Sequence, residues 1–136
     1  MVDSVSPEKR SWIMSRIRGK DTLPEMRVRQ AAHGLGFRFR LHTKEMPGTP
    51  DLVFPRLGKI ILVHGCFWHG HRCKGGRRIP RSNQEYWIAK IRANKLRDAR
   101  TRRRLRGLGW KVLVVWECQT SDPEILRGRL FDFLDA

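Results

Sequence analysis

The run Lys59-Ile60-Ile61-Leu62-Val63-His64-Gly65-Cys66-Phe67-Trp68-His69-Gly70-His71-Arg72-Cys73 decides how the chain is read. Its first five residues put apolar side chains on both faces of an extended segment. A strand of that kind belongs in the middle of a sheet that is covered on both sides. The remaining ten residues are of another composition: three of the five histidines and two of the three cysteines, with a Phe-Trp pair between them. A folding core has no use for that density of imidazole and thiol. Both are ligands for soft or borderline metals, and adjacent aromatics suit a surface that stacks on flat groups.

Upstream of the central strand, Leu52-Val53-Phe54 is a short apolar run, joined to it through a turn at Pro55 to Gly58. Before that, Phe37, Phe39 and Leu41 alternate with Arg38, Arg40 and His42, the period of a strand with one buried face. The loop Met46-Pro47-Gly48-Thr49-Pro50 separates the two and delivers Asp51. Thr22 to Glu25 spells a capping box, so a helix is expected from about Leu23 to His33, ending at Gly34 or Gly36. Glu25 then has a structural task by default, reaching back to the Thr22 backbone. Ser6-Pro7-Glu8 marks an earlier helix with Met14 and Ile17 on one face, stopping at Gly19. From the residues alone these two dock on the core, and an apolar wedge for DNA is the sharper alternative.

Downstream, Ser82-Asn83-Gln84-Glu85 again reads as a capping box. It opens a long helix through Trp87, Ile88, Ile91, Leu96, Ala99 and Leu105 whose other side is densely basic. Trp110 to Trp116 reads as a further buried strand ending in Glu117-Cys118. Asp122-Pro123-Glu124 starts a last helix with Leu126, Leu130, Phe133 and Leu134 turned inward. Three strands in succession, then a helical crossover to a fourth, give a mixed sheet of about four strands with helices against it: an α/β sandwich.

The chain has 136 residues, the size of one domain, so residues 1–136 are expected to fold as a single unit. Lys and Arg number 29 against 13 acids, a formal charge of +16, which calls for a polyanion. Nucleic acid is the leading partner. No apolar run approaches the ~20 residues that cross a bilayer, and residues 1–10 lack a signal-peptide core. Three cysteines, an odd number, argue for a reducing cytoplasm and metal or free thiols over a disulfide framework.

Cys66, His71 and Cys73, completed by Cys118, form a set of four nitrogen and sulfur ligands suited to structural tetrahedral zinc. Cys66 and Cys118 each come just after the end of a strand, so parallel neighbours would bring them to one edge. His64 and His69 remain, with Asp51 close in the topology. A carboxylate, a strand-end carbonyl and two imidazoles on a basic surface suit metal-assisted phosphodiester hydrolysis. Asp51 would hold magnesium, and an imidazole fixed by a carboxylate would take the proton of water. Asp98, alone in a basic helix, is the candidate partner. An ion pair with its arginine neighbours, and a turn cap for Asp51, are the plainer readings.

Pro50-Asp51, the string His64 to His69 with His71 and Cys73, Trp87, Asp98, and Val114-Val115-Trp116-Glu117-Cys118 closely resemble the very-short-patch repair (Vsr) endonucleases. The likeness covers about residues 10 to 120. It implies a restriction-endonuclease-like three-layer sandwich of the PD-(D/E)xK superfamily, stapled by zinc. It also implies an enzyme that nicks one strand of duplex DNA 5′ to the thymine of a T:G mismatch left by 5-methylcytosine deamination. On that resemblance Asp51 and the Val63 carbonyl bind Mg2+, and His69 with Asp98 activates water. His64 lies beside the scissile phosphate and Glu25 supports them. Phe67, Trp68 and Trp87 enter the base stack, with Met14 and Ile17 wedging from the other groove on a basic arm, residues 1–19. Cys66, His71, Cys73 and Cys118 hold Zn2+. A cytoplasmic, nucleoid-associated bacterial monomer is expected, working beside mismatch-repair proteins and a cytosine-5 DNA methyltransferase system that no residue identifies. The superfamily's acid-x-lysine is absent: Leu62-Val63-His64 stands in its place, leaving one strand carboxylate and a cation site that phosphate oxygens must complete. A related nuclease with another target, or a zinc-stapled module that binds DNA without cutting, are the alternatives.

Overall fold

The computed structural model describes residues 22–73 and 79–136. The arm 1–19, with Met14 and Ile17, lies outside the described residues. In chain order the elements are α1 (Leu23–Gly34), β1 (Arg40–Leu41), β2 (Leu52–Phe54), β3 (Lys59–His64), α2 (Gln84–Gly107), β4 (Lys111–Trp116), a 3-10 turn (Glu117–Gln119) and α3 (Pro123–Asp135). The four strands form one mixed sheet in the order β1-β2-β3-β4. β1 to β3 are antiparallel neighbours, and β4 runs parallel to β3 after the α2 crossover. The expected mixed α/β sheet is therefore present.

Alternation along the strands sorts side chains to two cores. Leu52, Phe54, Ile61 and Val115 meet Val28 and Ala32 of α1 and Leu126, Leu130 and Leu134 of α3. On the other face Val53, Ile60 and Leu62 meet Leu105 of α2, with Trp110, Val112 and Val114 packed around them. Helices thus cover both faces of β3, as its all-apolar composition requires. Lys59 opens that strand and is itself buried, at 3% exposure. Its ammonium donates to the carbonyls of Phe133 (2.6 Å), Leu134 (3.1 Å) and Ala136 (2.7 Å), satisfying the open end of α3 with a positive charge.

Several local expectations are corrected. β1 is two residues long with both exposed, while Phe37 and Phe39 reach the core from irregular backbone. β4 is an edge strand in which only Val115 is buried. The Thr22 hydroxyl does accept the Glu25 N–H, but the Glu25 carboxylate turns into the protein instead of back to the Thr22 backbone. α2 is capped by Asn83 in the left-handed conformation with no side-chain cap bond, so the Ser-x-x-Glu box does not form. Ile88 and Leu96 lie exposed, and Asn94 takes the buried face with Trp87, Ile91 and Leu105.

Candidate active site and metal centre

β3 and β4 are in register from Lys59↔Lys111 to His64↔Trp116, so both strands end at the same level. Cys66 and Cys118 each come two residues later. The Cys118 N–H donates to Cys66 Sγ (3.3 Å), and Cys118 Sγ lies 3.5 Å from His71 Nδ1. One ligand atom from each of Cys66, His71, Cys73 and Cys118 falls within 4.8 Å of the others. Burial, with the neighbouring thiols, pushes the Cys66 thiol up to about 12. A thiol held that firmly protonated becomes a ligand when a cation displaces the proton. The donor set fits a tetrahedral N/S metal such as zinc.

The loop between these ligands is shaped by its own backbone bonds: His69 N–H to Gly65 O, Gly70 N–H to Phe67 O, and His71 N–H to Cys66 O. It is pinned to α2 by the Asn94 amide, which donates to Trp68 O at 2.8 Å. Gly70, with φ 62°, lets the loop lie against α2; a Cβ there would stand 2.6 Å from Ile91 Cγ2. Trp116 joins the thiol cluster to the histidines, stacking on His71 (4.2 Å, 15°) and meeting the edge of His64 at 5.2 Å.

His64 and His69 stack face to face, with ring centroids 4.0 Å apart and planes within 5°. His69 Nδ1 is hydrogen-bonded to Asp98 Oδ2. An ionised carboxylate only accepts, so Nδ1 carries the hydrogen and Nε2 is left as the basic nitrogen. Burial works to raise the Asp98 pKa, yet the bond and charge of His69 outweigh it and hold the carboxyl below its ordinary range. His64 is driven the other way: burial, then the adjacent His69 charge, takes it down to about 3. Its Nδ1 is buried and has no hydrogen-bond partner among the described residues. The pair is therefore one neutral imidazole stacked on one that a carboxylate orients.

On the facing side, Asp51 Oδ2 accepts the Val63 N–H at 2.7 Å. Burial, opposed by that bond and reinforced by the Glu25 carboxylate, pushes Asp51 up to about 7. Burial acts likewise on Glu25, but His42 and Arg29 overcome it and keep Glu25 ionised. Two carboxyl groups in contact, one of them poised to lose its proton near neutrality, fit a hard divalent cation in place of that proton. Glu25, Asp51, Val63, His64, Phe67, Trp68, His69 and Asp98 all line one cleft of about 890 Å³.

Phe67 and Trp68 meet edge to face at 5.1 Å. Trp87 packs against both, 5.5 and 5.7 Å away, and is only 7% exposed. It does not line the cleft but backs the two aromatics that do. Sequence reasoning misses three residues here: His42, Asn94 and Trp116. Trp116 and Asn94 carry no chemical signal beyond a strand end and a polar residue on a helix.

The DNA mismatch endonuclease Vsr profile matches residues 2–75 of this chain. The chain belongs to the Vsr family. It is a DNA mismatch repair endonuclease, a hydrolase whose substrate is DNA and whose family implies a divalent metal. The type II nicking enzyme V.XorIIP of Xanthomonas oryzae pv. oryzae is 50% identical over 135 residues, covering 99% of this chain and 98% of that enzyme. V.NmeAIP of Neisseria meningitidis serogroup A is 42% identical over 96% of this chain and 92% of its own. The DNA mismatch endonuclease Vsr of Escherichia coli is 40% identical over 95% of this chain and 78% of its own. Among the described residues of this Vsr-family chain, no helix is long and apolar enough to cross a membrane.

Proposed function

We propose that this chain nicks one strand of duplex DNA 5′ to the thymine of a T:G mismatch, and that Mg2+ assists the hydrolysis. The observation that carries the reading is the meeting, in one cleft, of the oriented His69–Asp98 pair with the Asp51–Glu25 carboxylates. Asp51 and the Val63 carbonyl would hold the Mg2+, with Glu25 supporting. Bound there, the cation supplies positive charge to the phosphate and to the leaving oxygen. His69 Nε2 takes the proton of the attacking water, and Asp98 stabilises the imidazolium that results. His64 stays neutral and packs the face of His69, leaving its ring free to meet the scissile phosphate.

Phe67 and Trp68, at the cleft wall, enter the base stack at the weakened pair; Trp87 holds them at the angle they need. Met14 and Ile17 of the arm 1–19 wedge from the opposite groove, and residues 1–136 act as one domain. The four ligands Cys66, His71, Cys73 and Cys118 hold Zn2+ and staple a restriction-endonuclease-like sheet. The names of the nicking relatives support cleavage of one strand.

The test is incubation of T:G-mismatched, homoduplex and single-stranded DNA with Mg2+, using the wild type and Asp51→Ala. A nick confined to the mismatched strand and lost in the variant supports the proposal. Double-strand cutting of homoduplex replaces mismatch specificity with that of a restriction-like nuclease, and binding without cutting leaves a DNA-binding module.

A further inference from the structure

His42 sits one residue beyond β1, and the antiparallel register that pairs Leu41 with Leu52 continues so that His42 comes opposite Asp51. Its N–H donates to the Asp51 carbonyl at 3.2 Å. At that point the backbone leaves the strand conformation for φ 45°, a left-handed setting that a side chain with Cβ adopts only when its surroundings hold it there. The result is that the imidazole is sent under α1 instead of out to solvent. Its Nε2 lies 2.9 Å from Glu25 Oε1, and the side chain is 14% exposed. The other oxygen of Glu25 is bonded by Arg29. Glu25 is thus gripped at both oxygens by cationic or hydrogen-donating groups, and it is the group that touches Asp51. One ligand atom each from Glu25, His42 and Asp51 falls within 4.8 Å.

We infer that His42 is the positioning residue of the cation site: it holds the Glu25 carboxylate aimed beside Asp51, so that two carboxylates face a divalent cation. This rests on Asp51 being the cation ligand of the proposed function. His42 donates to a carboxylate that supports the ligand, the relation by which an outer partner fixes a metal site, and loss of such partners costs about 10- to 100-fold in affinity. Glutamine at this position keeps an N–H donor near the place of Nε2, whereas alanine removes it.

The test is Mn2+ binding to the zinc-loaded protein held on a non-cleavable T:G duplex, with free ion counted by electron paramagnetic resonance and uptake by the duplex alone subtracted, for wild type, Asp51→Ala, His42→Ala and His42→Gln. His42→Ala is expected to raise the Mn2+ dissociation constant about tenfold or more, and His42→Gln to stay within about threefold of wild type. The Mg2+ concentration for half-maximal nicking should shift in parallel. Unchanged Mn2+ binding in His42→Ala, equal weakening by both His42 variants, or wild-type binding in Asp51→Ala would each overturn the inference. If the wild type nicks T:G duplexes and His42→Ala matches it at every Mg2+ concentration, only this inference fails. If the wild type does not nick yet Mn2+ binding depends on His42, the proposed activity fails and the positioning role stands.

Discussion

Replacing Asp98 with asparagine separates orientation and charge from size. The carboxylate bonds His69 Nδ1 with both side chains largely covered, at 21% exposure for His69 and 13% for Asp98, so solvent screens the pair only in part. Two unit charges about 4 Å apart at an effective dielectric near 20 attract by roughly 4 kcal/mol. That is the stabilisation the imidazolium loses at the moment His69 takes a proton, with the Arg97 charge close by. Asparagine can also turn its N–H2 toward Nδ1, which puts the ring hydrogen on Nε2 and blocks it as a base. Both effects act on the reaction step, and about 4 kcal/mol corresponds to about 10³-fold in rate. Single-turnover nicking of a T:G duplex at saturating Mg2+ should therefore fall by about three decades in Asp98→Asn. Affinity for the duplex at low salt should hold or tighten, because a negative charge has left a basic surface. A variant that keeps its rate within about tenfold of wild type, or that loses rate only through weaker DNA binding, would refute the assignment.

Three further outcomes are expected from the same geometry. In Mg2+-free buffer, Asp51→Asn should stabilise the protein above pH 7. The folded pKa of Asp51, about 7, exceeds its ordinary value of 3.8, so Asp51 subtracts stability as pH rises through that window. The variant lacks this loss, while the groups the two proteins share, His64 among them, act on both alike, so the gap between them widens with pH. Melting curves between about pH 4 and 8 check the convergence of the two at the acid end. Cys118→Ser should release bound zinc to a competing chelator at more than about 100-fold lower chelator concentration, read by metal analysis, with melting temperature falling alongside. Phe67→Ala should weaken mismatch binding by about 1–3 kcal/mol at little cost in stability, whereas Trp87→Ala, emptying a buried site, should destabilise the fold by about 3–5 kcal/mol. Equal melting temperatures for the two would contradict their different burial.

Where the fold is legible in the sequence, a single element carries its own reason. The run Ile60 to Val63 is apolar on both faces and lies between two cores, and Cys66 and Cys118 follow strand ends that the parallel pairing brings level. The limits of α1 are legible because Thr22, Pro24 and Gly36, the last at φ 92°, each act locally. The failures are non-local. His42 fits a strand's solvent-facing alternation, and only the strained turn opposite Asp51 sends it inward. Lys59 looks like a strand's polar start, because the carbonyls that hold it belong to residues more than seventy positions later. The Ser82 to Glu85 pattern is a fair capping box that the backbone at Asn83 does not use. Asn94 interrupts the apolar stripe of α2 because its partner is a loop carbonyl, which no periodicity announces.

The pairing of β3 with β4 also sets an order of events during synthesis. Every residue assigned to the hydrolytic cleft has been synthesised once Asp98 is made, yet Cys118, the third thiol, comes 52 positions after Cys66. Closing a loop of that length costs about 3.5 kcal/mol of chain entropy before any contact across it contributes. Parallel pairing of this kind forms late, after the intervening helix has been laid down. A nascent chain therefore holds its histidines and carboxylates without the paired strands that align them, and on the proposed function it would gain the power to cut only once β4 and Cys118 have joined β3. For an enzyme that breaks the genome's backbone, such a delay until translation has passed that point would be a safeguard written into connectivity.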